Sequence, residues 1–193
     1  MTDKQSLRRE ARERRRGFVA ALDPLAHRLA FKVLPTPLAT LIGGRGTIAL
    51  YHAVDDEAPA QRLAHALAAQ GKTLALPCVL DRLGSMEFRR WHPDDPLLSG
   101  PFGTSHPAAE NGLVVPDVII APLLAFDSAM GRLGQGGGYY DRSFARHDTA
   151  LRIGLAWSVQ QMAQVPVDPW DLPLHAVLTE TSLIEGPIEG PPA

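Results

Sequence analysis

This sequence predicts an α/β fold, a three-layer αβα arrangement with helices on both faces of a mostly parallel central sheet. Short runs of strand formers alternate with helical segments between residues 47 and 178. Such alternation favours parallel pairing through helical crossovers. The run at 73–77 is short and apolar, as a strand buried on both faces is. Glycine and proline stand where these segments begin and end.

Taken in order, residues 3–16 read as a charged helix, with Glu10 and Glu13 among Lys4, Arg8, Arg9, Arg12, Arg14, Arg15 and Arg16. A second helix starts at Asp23 as N-cap with Pro24 at the first helical position. The turn Gly43-Gly44-Arg45-Gly46 leads to a strand at 47–53. Pro59 opens a helix that buries Leu63, Ala64, Leu67 and Ala68, and Gly71 ends it. Strands follow at 73–77 and 118–122. A turn and helix occupy 136–147, a strand 151–156, a short helix 158–163 and a last strand 175–178. The domain is expected to span residues 1–184. The tail at 185–193 holds Gly186, Pro187, Gly190, Pro191 and Pro192 and reads as unfolded.

Composition removes several function classes. The chain has 193 residues, 45% hydrophobic and 21% charged, with a net charge of −2. That balance suits a globular core and argues against a protein that coats nucleic acid or lies on anionic lipid. No apolar run approaches the roughly 18 residues of a membrane span, and the charged N-terminus is no signal peptide. A single cysteine, Cys78, excludes an intrachain disulfide and a cysteine-built metal site. The expectation is a soluble cytoplasmic protein, a monomer or weak homo-oligomer, with no nucleic-acid or membrane partner.

The segment Arg132-Leu133-Gly134-Gln135-Gly136-Gly137-Gly138-Tyr139-Tyr140-Asp141-Arg142 is the most informative. Its glycines follow a buried strand and precede a helix, so backbone N–H groups can approach an anion at the helix N-terminus. It is neither a Walker A loop nor a dinucleotide fingerprint. Glycines alone fit a flexible turn as well as a phosphate site. Arg132 on one flank, with two tyrosines and Asp141 on the other, adds a cation, flat rings and a metal-capable carboxylate.

This segment, after a strand ending Ala125-Phe126-Asp127, resembles the 5-formyltetrahydrofolate cyclo-ligase family. Weaker matches run in the same order along nearly the whole chain: Lys4 with Leu7-Arg8, Tyr51 with Glu57, Met86-Glu87-Phe88, Phe102-Gly103 to Pro107, Ile153-Gly154, Gln160, and Pro166 to Asp171. The resemblance implies a fold similar to sugar-phosphate isomerases and CoA transferases. It also implies closure of 5-formyltetrahydrofolate to 5,10-methenyltetrahydrofolate with ATP and Mg²⁺.

Residue by residue, the resemblance implies nucleotide binding by Lys4, Arg8, Arg132, Leu133, Gly134, Gln135, Gly136, Gly137, Gly138, Tyr139 and Tyr140. Arg132 and Tyr140 take catalytic roles. Folate contacts fall on His52, Glu57, Met86, Phe102, Tyr139 and Tyr140, and Mg²⁺ on Asp141 and Asp171, with Asp168 as the alternative register. Read without the resemblance, Lys4 and Arg8 form a solvated face, Arg132 is a turn residue, Met86 and Phe102 are core, and Glu57 is a first-turn acid. Arg14-Arg15-Arg16 reads as surface charge. Gln135 holds the motif's variable position, with its side chain expected in solvent. His106 departs from the acid or glutamine that many family members carry before the proline. Two rivals remain: another phosphate-substrate enzyme of the same fold, and a non-catalytic folate or nucleotide binder.

Overall fold

The structure is a computed structural model and describes residues 4–79 and 86–187. Helix α1 spans Lys4–Ala21, longer than the expected 3–16. Two stripes explain the length. Leu7, Ala11 and Phe18 recur at helical spacing and dock on the protein, while Lys4, Arg8, Arg12 and Arg15 form an adjacent cationic stripe. Helix α2, Pro24–Leu29, has the predicted cap: the Asp23 carboxylate accepts from the N–H groups of Leu25 and Ala26 at 2.9 and 3.0 Å.

Helix α3, Thr36–Ile42, is absent from the sequence reading. Its two prolines look like breakers, but Pro37 sits in the first turn, where a missing N–H costs nothing. Strand β1 is Thr47–Ala49, shorter than 47–53. The helix after Pro59 begins as a 3-10 turn, Ala60–Leu63, and continues as α4, Ala64–Ala69. Strand β2, Thr73–Val79, pairs in parallel with β1 and antiparallel with β3, Met86–Arg90, a further strand the sequence reading left out.

Two small ribbons follow: β4, Leu98–Ser99, with β5, Ser105–His106; then, after β6 at Val118–Pro122, β7 at Ala125–Phe126 with β8 at Arg132–Leu133. Helix α5 is Tyr139–Arg146 and strand β9 is Leu151–Leu155. The expected helix at 158–163 reduces to the 3-10 turn Ser158–Gln160. Strand β10 is Ala176–Leu178, and β11, Leu183–Glu185, returns antiparallel beside it. The proposed unfolded tail is therefore corrected at its start, because Glu185 pairs with Ala176. The rest of that tail, 188–193, lies outside the described residues.

The main sheet runs β11-β10-β9-β6-β1-β2-β3. Its five inner strands are parallel, as predicted. Alternation along each strand makes two cores. One face carries Ile48, Leu74, Leu76, Val118 and Ile120 against α3 and α4. The other carries the smaller Ala49, Ala75 and Ala121 with Ile119, facing Phe144 of α5. Gly154 belongs to this crowded side: a methyl there would stand 2.6 Å from Leu123 and 2.8 Å from Leu174.

From β1 the chain builds toward β2 and β3; it then resumes at β6 on β1's other flank and builds away through β9 and β10. The order thus reverses between β1 and β6, and α/β sheets bind ligands at the carboxyl ends of the strands at such a point.

Candidate functional site

A cleft of about 910 Å³ opens there. Its floor is the chain leaving three strands: Tyr51 and His52 after β1, Pro77 and Val79 at the end of β2, and Pro122 at the end of β6. One wall is the cationic stripe of α1, held in place by Leu7 and Ala11 against Leu124, Ala125 and Leu133. The opposite wall is residues 132–141.

Each of the four cations of the α1 stripe has a partner outside the helix. The Lys4 ammonium lies 2.6 Å from Asp168 and 3.2 Å from Asp171. Partial burial pulls its pKa down, but the bonds to both aspartates outweigh this and leave it raised. Arg8 Nε donates to the Gly134 carbonyl at 3.0 Å. Arg12 donates twice to Gln135 Oε1, at 3.1 and 2.7 Å. Nε and Nη2 of Arg15 both donate to Asp56 Oδ1, at 3.1 and 2.6 Å, and its Nη1 stands 4.0 Å from Glu57.

Arg15 therefore corrects the reading as surface charge, since its side chain is 5% exposed. The signal was present: residues 4, 8, 12 and 15 share one helix face. Gln135 is exposed, as expected, but its side chain is hydrogen-bonded. It accepts from Arg12 and donates to Glu57 Oε1 at 3.4 Å, linking α1, the glycine stretch and the 54–57 turn.

Arg132 is not a surface-turn residue either. It sits on β8 with its side chain 5% exposed and lies 2.6 Å from Asp141 Oδ1. Its guanidinium carbon is 5.8 Å from the Tyr140 ring centroid and 5.5 Å from that of Phe144. Its Nε is buried with no hydrogen-bond partner among the described residues. Buried donors left this way cost about 1–3 kcal/mol, so the site maintains this cation against a local penalty.

The glycines divide their work. Gly136 and Gly138 have φ of 103° and 66°, in the left-handed region that side chains avoid. Gly138 is the N-cap of α5. Gly137 has ordinary φ, but a methyl there would stand 2.8 Å from the Tyr139 ring. That ring lies 5.2 Å from the Arg142 guanidinium, which also donates to the Gly137 carbonyl at 2.8 Å. Gly137→Ala is expected to push the Tyr139 ring aside and weaken the nucleotide binding that the sequence resemblance implies at least 10-fold, about 1.4 kcal/mol. Equal affinities of the variant and wild type in a nucleotide titration would make the loop a hinge.

Apolar and aromatic side chains line the cleft as well. Met86 is 3% exposed; Tyr139 and Tyr140 pack on the same core cluster. Burial raises the Tyr140 hydroxyl pKa well above its ordinary value, and the Glu57 charge raises it further. This hydroxyl stays protonated at neutral pH. Burial also raises the Glu57 carboxyl, while the Val54 N–H, Arg15 and Gln135 pull it down.

Lys4, Arg8, His52, Glu57, Met86, residues 132–141 and Asp171 thus converge on one cleft. Asp168 lines it as well, so the structure separates neither register of the second carboxylate. The Phe102 side chain lies outside the described residues; its backbone is in the 3-10 turn Pro101–Gly103, just before the cleft-lining Thr104 and Ser105. His106 does not line the cleft among the described residues, and its Nδ1 is 3.0 Å from the Pro107 carbonyl.

Fold and cleft define an α/β protein whose strand ends open on a cleft walled by a cationic helix stripe, a glycine stretch and two tyrosines. The family model of the 5-formyltetrahydrofolate cyclo-ligase family matches residues 1–180. A 5-formyltetrahydrofolate cyclo-ligase of Haemophilus influenzae is 36% identical over 139 residues, covering 68% of this chain and 74% of the relative. One from Escherichia coli is 34% identical over 146 residues, covering 72% and 80%. The solved 5,10-methenyltetrahydrofolate synthetase of Aquifex aeolicus superposes with a TM-score of 0.75 at 28% identity, covering 98% of this chain and 95% of that one. The Mycoplasma pneumoniae synthetase, at 22% identity and a TM-score of 0.70, covers 93% of this chain and 99% of that one, and shares the fold. The chain belongs to the 5-formyltetrahydrofolate cyclo-ligase family. Among the described residues, no helix is long and apolar enough to cross a membrane.

Proposed function

We propose that this cleft carries out the family reaction, closing 5-formyltetrahydrofolate to 5,10-methenyltetrahydrofolate at the expense of ATP. The observation that carries the reading is the meeting, in one cleft, of the α1 cations and glycine stretch with Glu57, Met86, Tyr139 and Tyr140. A formamide oxygen is a poor leaving group. Its attack on the γ-phosphorus would expel ADP and form a phosphorylated imidate. N10 would then attack the former formyl carbon, phosphate would depart with that oxygen, and N10 would lose its proton.

The first step asks for positioning and charge neutralisation rather than a protein nucleophile. Lys4, Arg8 and the backbone of 134–138 hold the phosphates in this reading. Arg132 meets the charge that builds on the transferring group. The Tyr140 hydroxyl, kept protonated, donates to the reacting oxygens, and the Glu57 carboxylate accepts from the pterin edge.

The residues fit Mg²⁺. Asp141 and Asp171 line the cleft, and among the described residues Asp141 Oδ2 and Asp171 Oδ1 have no hydrogen-bond partner. No cluster of three or more His, Cys, Asp or Glu side chains among the described residues could hold a metal by itself. One or two carboxylates, completed by phosphate oxygens and water, are how Mg²⁺ is commonly bound beside nucleotides. Bound there, the ion would neutralise phosphate charge.

Turnover is therefore expected to require ATP and a divalent metal together. Formation of methenyltetrahydrofolate, followed by its absorbance, should stop on removing either one. An undiminished rate after nucleotide removal and chelation would refute the reading.

A further inference from the structure

We propose that Trp170 is the stacking platform for the nucleotide's base; this inference rests on the reading of the cleft as an ATP site. The chain has three tryptophans. Trp91 and Trp157 are buried at 5% and 0% exposure, whereas Trp170 is 71% exposed and lines the cleft. An indole is a large apolar surface, and leaving one in water forfeits the free energy of its burial.

This exposure is held in place. Residues 168–171 form a turn with Pro169 at its first central position, where a fixed φ is favourable. The Asp171 N–H donates to the Asp168 carbonyl at 2.9 Å, and the Asp168 N–H returns to Asp171 Oδ2 at 2.8 Å. The Lys4 ammonium ties both carboxylates together. The preceding chain is anchored too. The Val165 N–H donates to the buried Asp127 at 2.7 Å, and a Val167 methyl stands 3.3 Å from where a Cβ would sit on Gly131, the residue before Arg132. A proline, two crossed hydrogen bonds and a lysine bridge thus fix a turn whose outermost large side chain is an unburied indole.

Its position selects the occupant. Lys4 touches Asp168 and Asp171, which bracket Pro169 and Trp170, so the indole stands at the Lys4 end of the α1 stripe. Glu57 meets the other end of that stripe, beside Arg15. The pterin pocket has rings of its own in Tyr139 and Tyr140. A flat group next to the phosphate cations and away from Glu57 is the base of the nucleotide, and every base offers a π-face to an indole.

The test separates base from phosphate by titrating full-length wild type, W170A and W170F with ATP and with inorganic tripolyphosphate, both with Mg²⁺. We expect W170A to bind ATP roughly 10- to 100-fold more weakly, W170F to stay within a few-fold of wild type, and tripolyphosphate to bind all three alike. ATP, but not tripolyphosphate, should change the tryptophan emission of wild type, and W170F should lose that change. Unaltered ATP affinity in W170A overturns the proposal. Equal loss of ATP and tripolyphosphate in W170A also overturns it, because the indole would then be shaping the phosphate site. Failure of wild type to bind either ligand would overturn the nucleotide reading itself, and the platform with it.

Discussion

Arg132→Ala is expected to lower kcat roughly 10²- to 10³-fold, the usual cost of one lost electrostatic donor at a reacting group. Arg132 is the most buried cation of the cleft's glycine wall, held between Asp141 and the rings of Tyr140 and Phe144. Its charge therefore acts where little water screens it. Burial also means the variant loses stability, unlike a surface-turn substitution. Asp141 loses its 2.6 Å partner, but at 25% exposure it can hydrate, so a loss of about 1–2 kcal/mol is expected. The two effects are separable: kcat is measured below the variant's thermal transition, and ATP affinity is measured alongside. A folded Arg132→Ala protein with wild-type kcat would remove Arg132 from the reaction.

The parallel core of the sheet and the glycine stretch could be read from the sequence because each has a local signature. The runs at 73–77 and 118–122 are short and apolar, and the glycines announce tight backbone. The elements left out lack such marks. Helix α3 hides behind Pro35 and Pro37, and its burial comes from Leu38 and Ile42 packing on the sheet. Strands β3 and β11 are five and three residues long; they exist because β2 and β10 offer edges to pair with, a property of the assembled sheet.

The site divides in the same way. Lys4, Arg8 and Asp141 were reached through motif resemblance, which carries residue type and order. The partners were not. That Gln135 joins Arg12 to Glu57, or that Asp56 neutralises Arg15, depends on bringing residues 12, 15, 56, 57 and 135 together across the fold. The run Arg14-Arg15-Arg16 illustrates the limit. Arg14 and Arg16 are exposed and Arg15 is buried, a difference set by which way one helix rotates against its neighbours.

Arg15→Met is expected to cost about 3 kcal/mol of folding stability, the lower end for breaking a buried ion pair by removing one partner. Methionine retains much of the side chain's packing volume, so the loss reports charge rather than a cavity. Asp56 and Glu57, only 15% and 12% exposed, would be left as neighbouring carboxylates without their guanidinium. The turn they belong to also anchors Trp157, whose indole donates to the Asp56 carbonyl at 3.0 Å.

The pH dependence gives this prediction its sign. Glu57 already has a raised pKa in the folded protein, because burial outweighs Arg15, Gln135 and the Val54 N–H. A carboxyl raised on folding favours the folded state below its unfolded pKa, and that advantage is lost as pH rises through the folded value. Removing Arg15 lifts Glu57 further, so the deficit of the variant should be largest near neutral pH and shrink on acidification toward the ordinary carboxylate range. Folate binding should move the other way, failing at higher pH in the variant because the accepting carboxylate is protonated sooner. Urea unfolding of wild type and Arg15→Met at pH 7 and pH 5, with folate titrations across the same range, checks both. Equal stabilities at pH 7 would mean that Arg15 is no more than a packed side chain, and a pH-independent deficit would remove Glu57 from its influence.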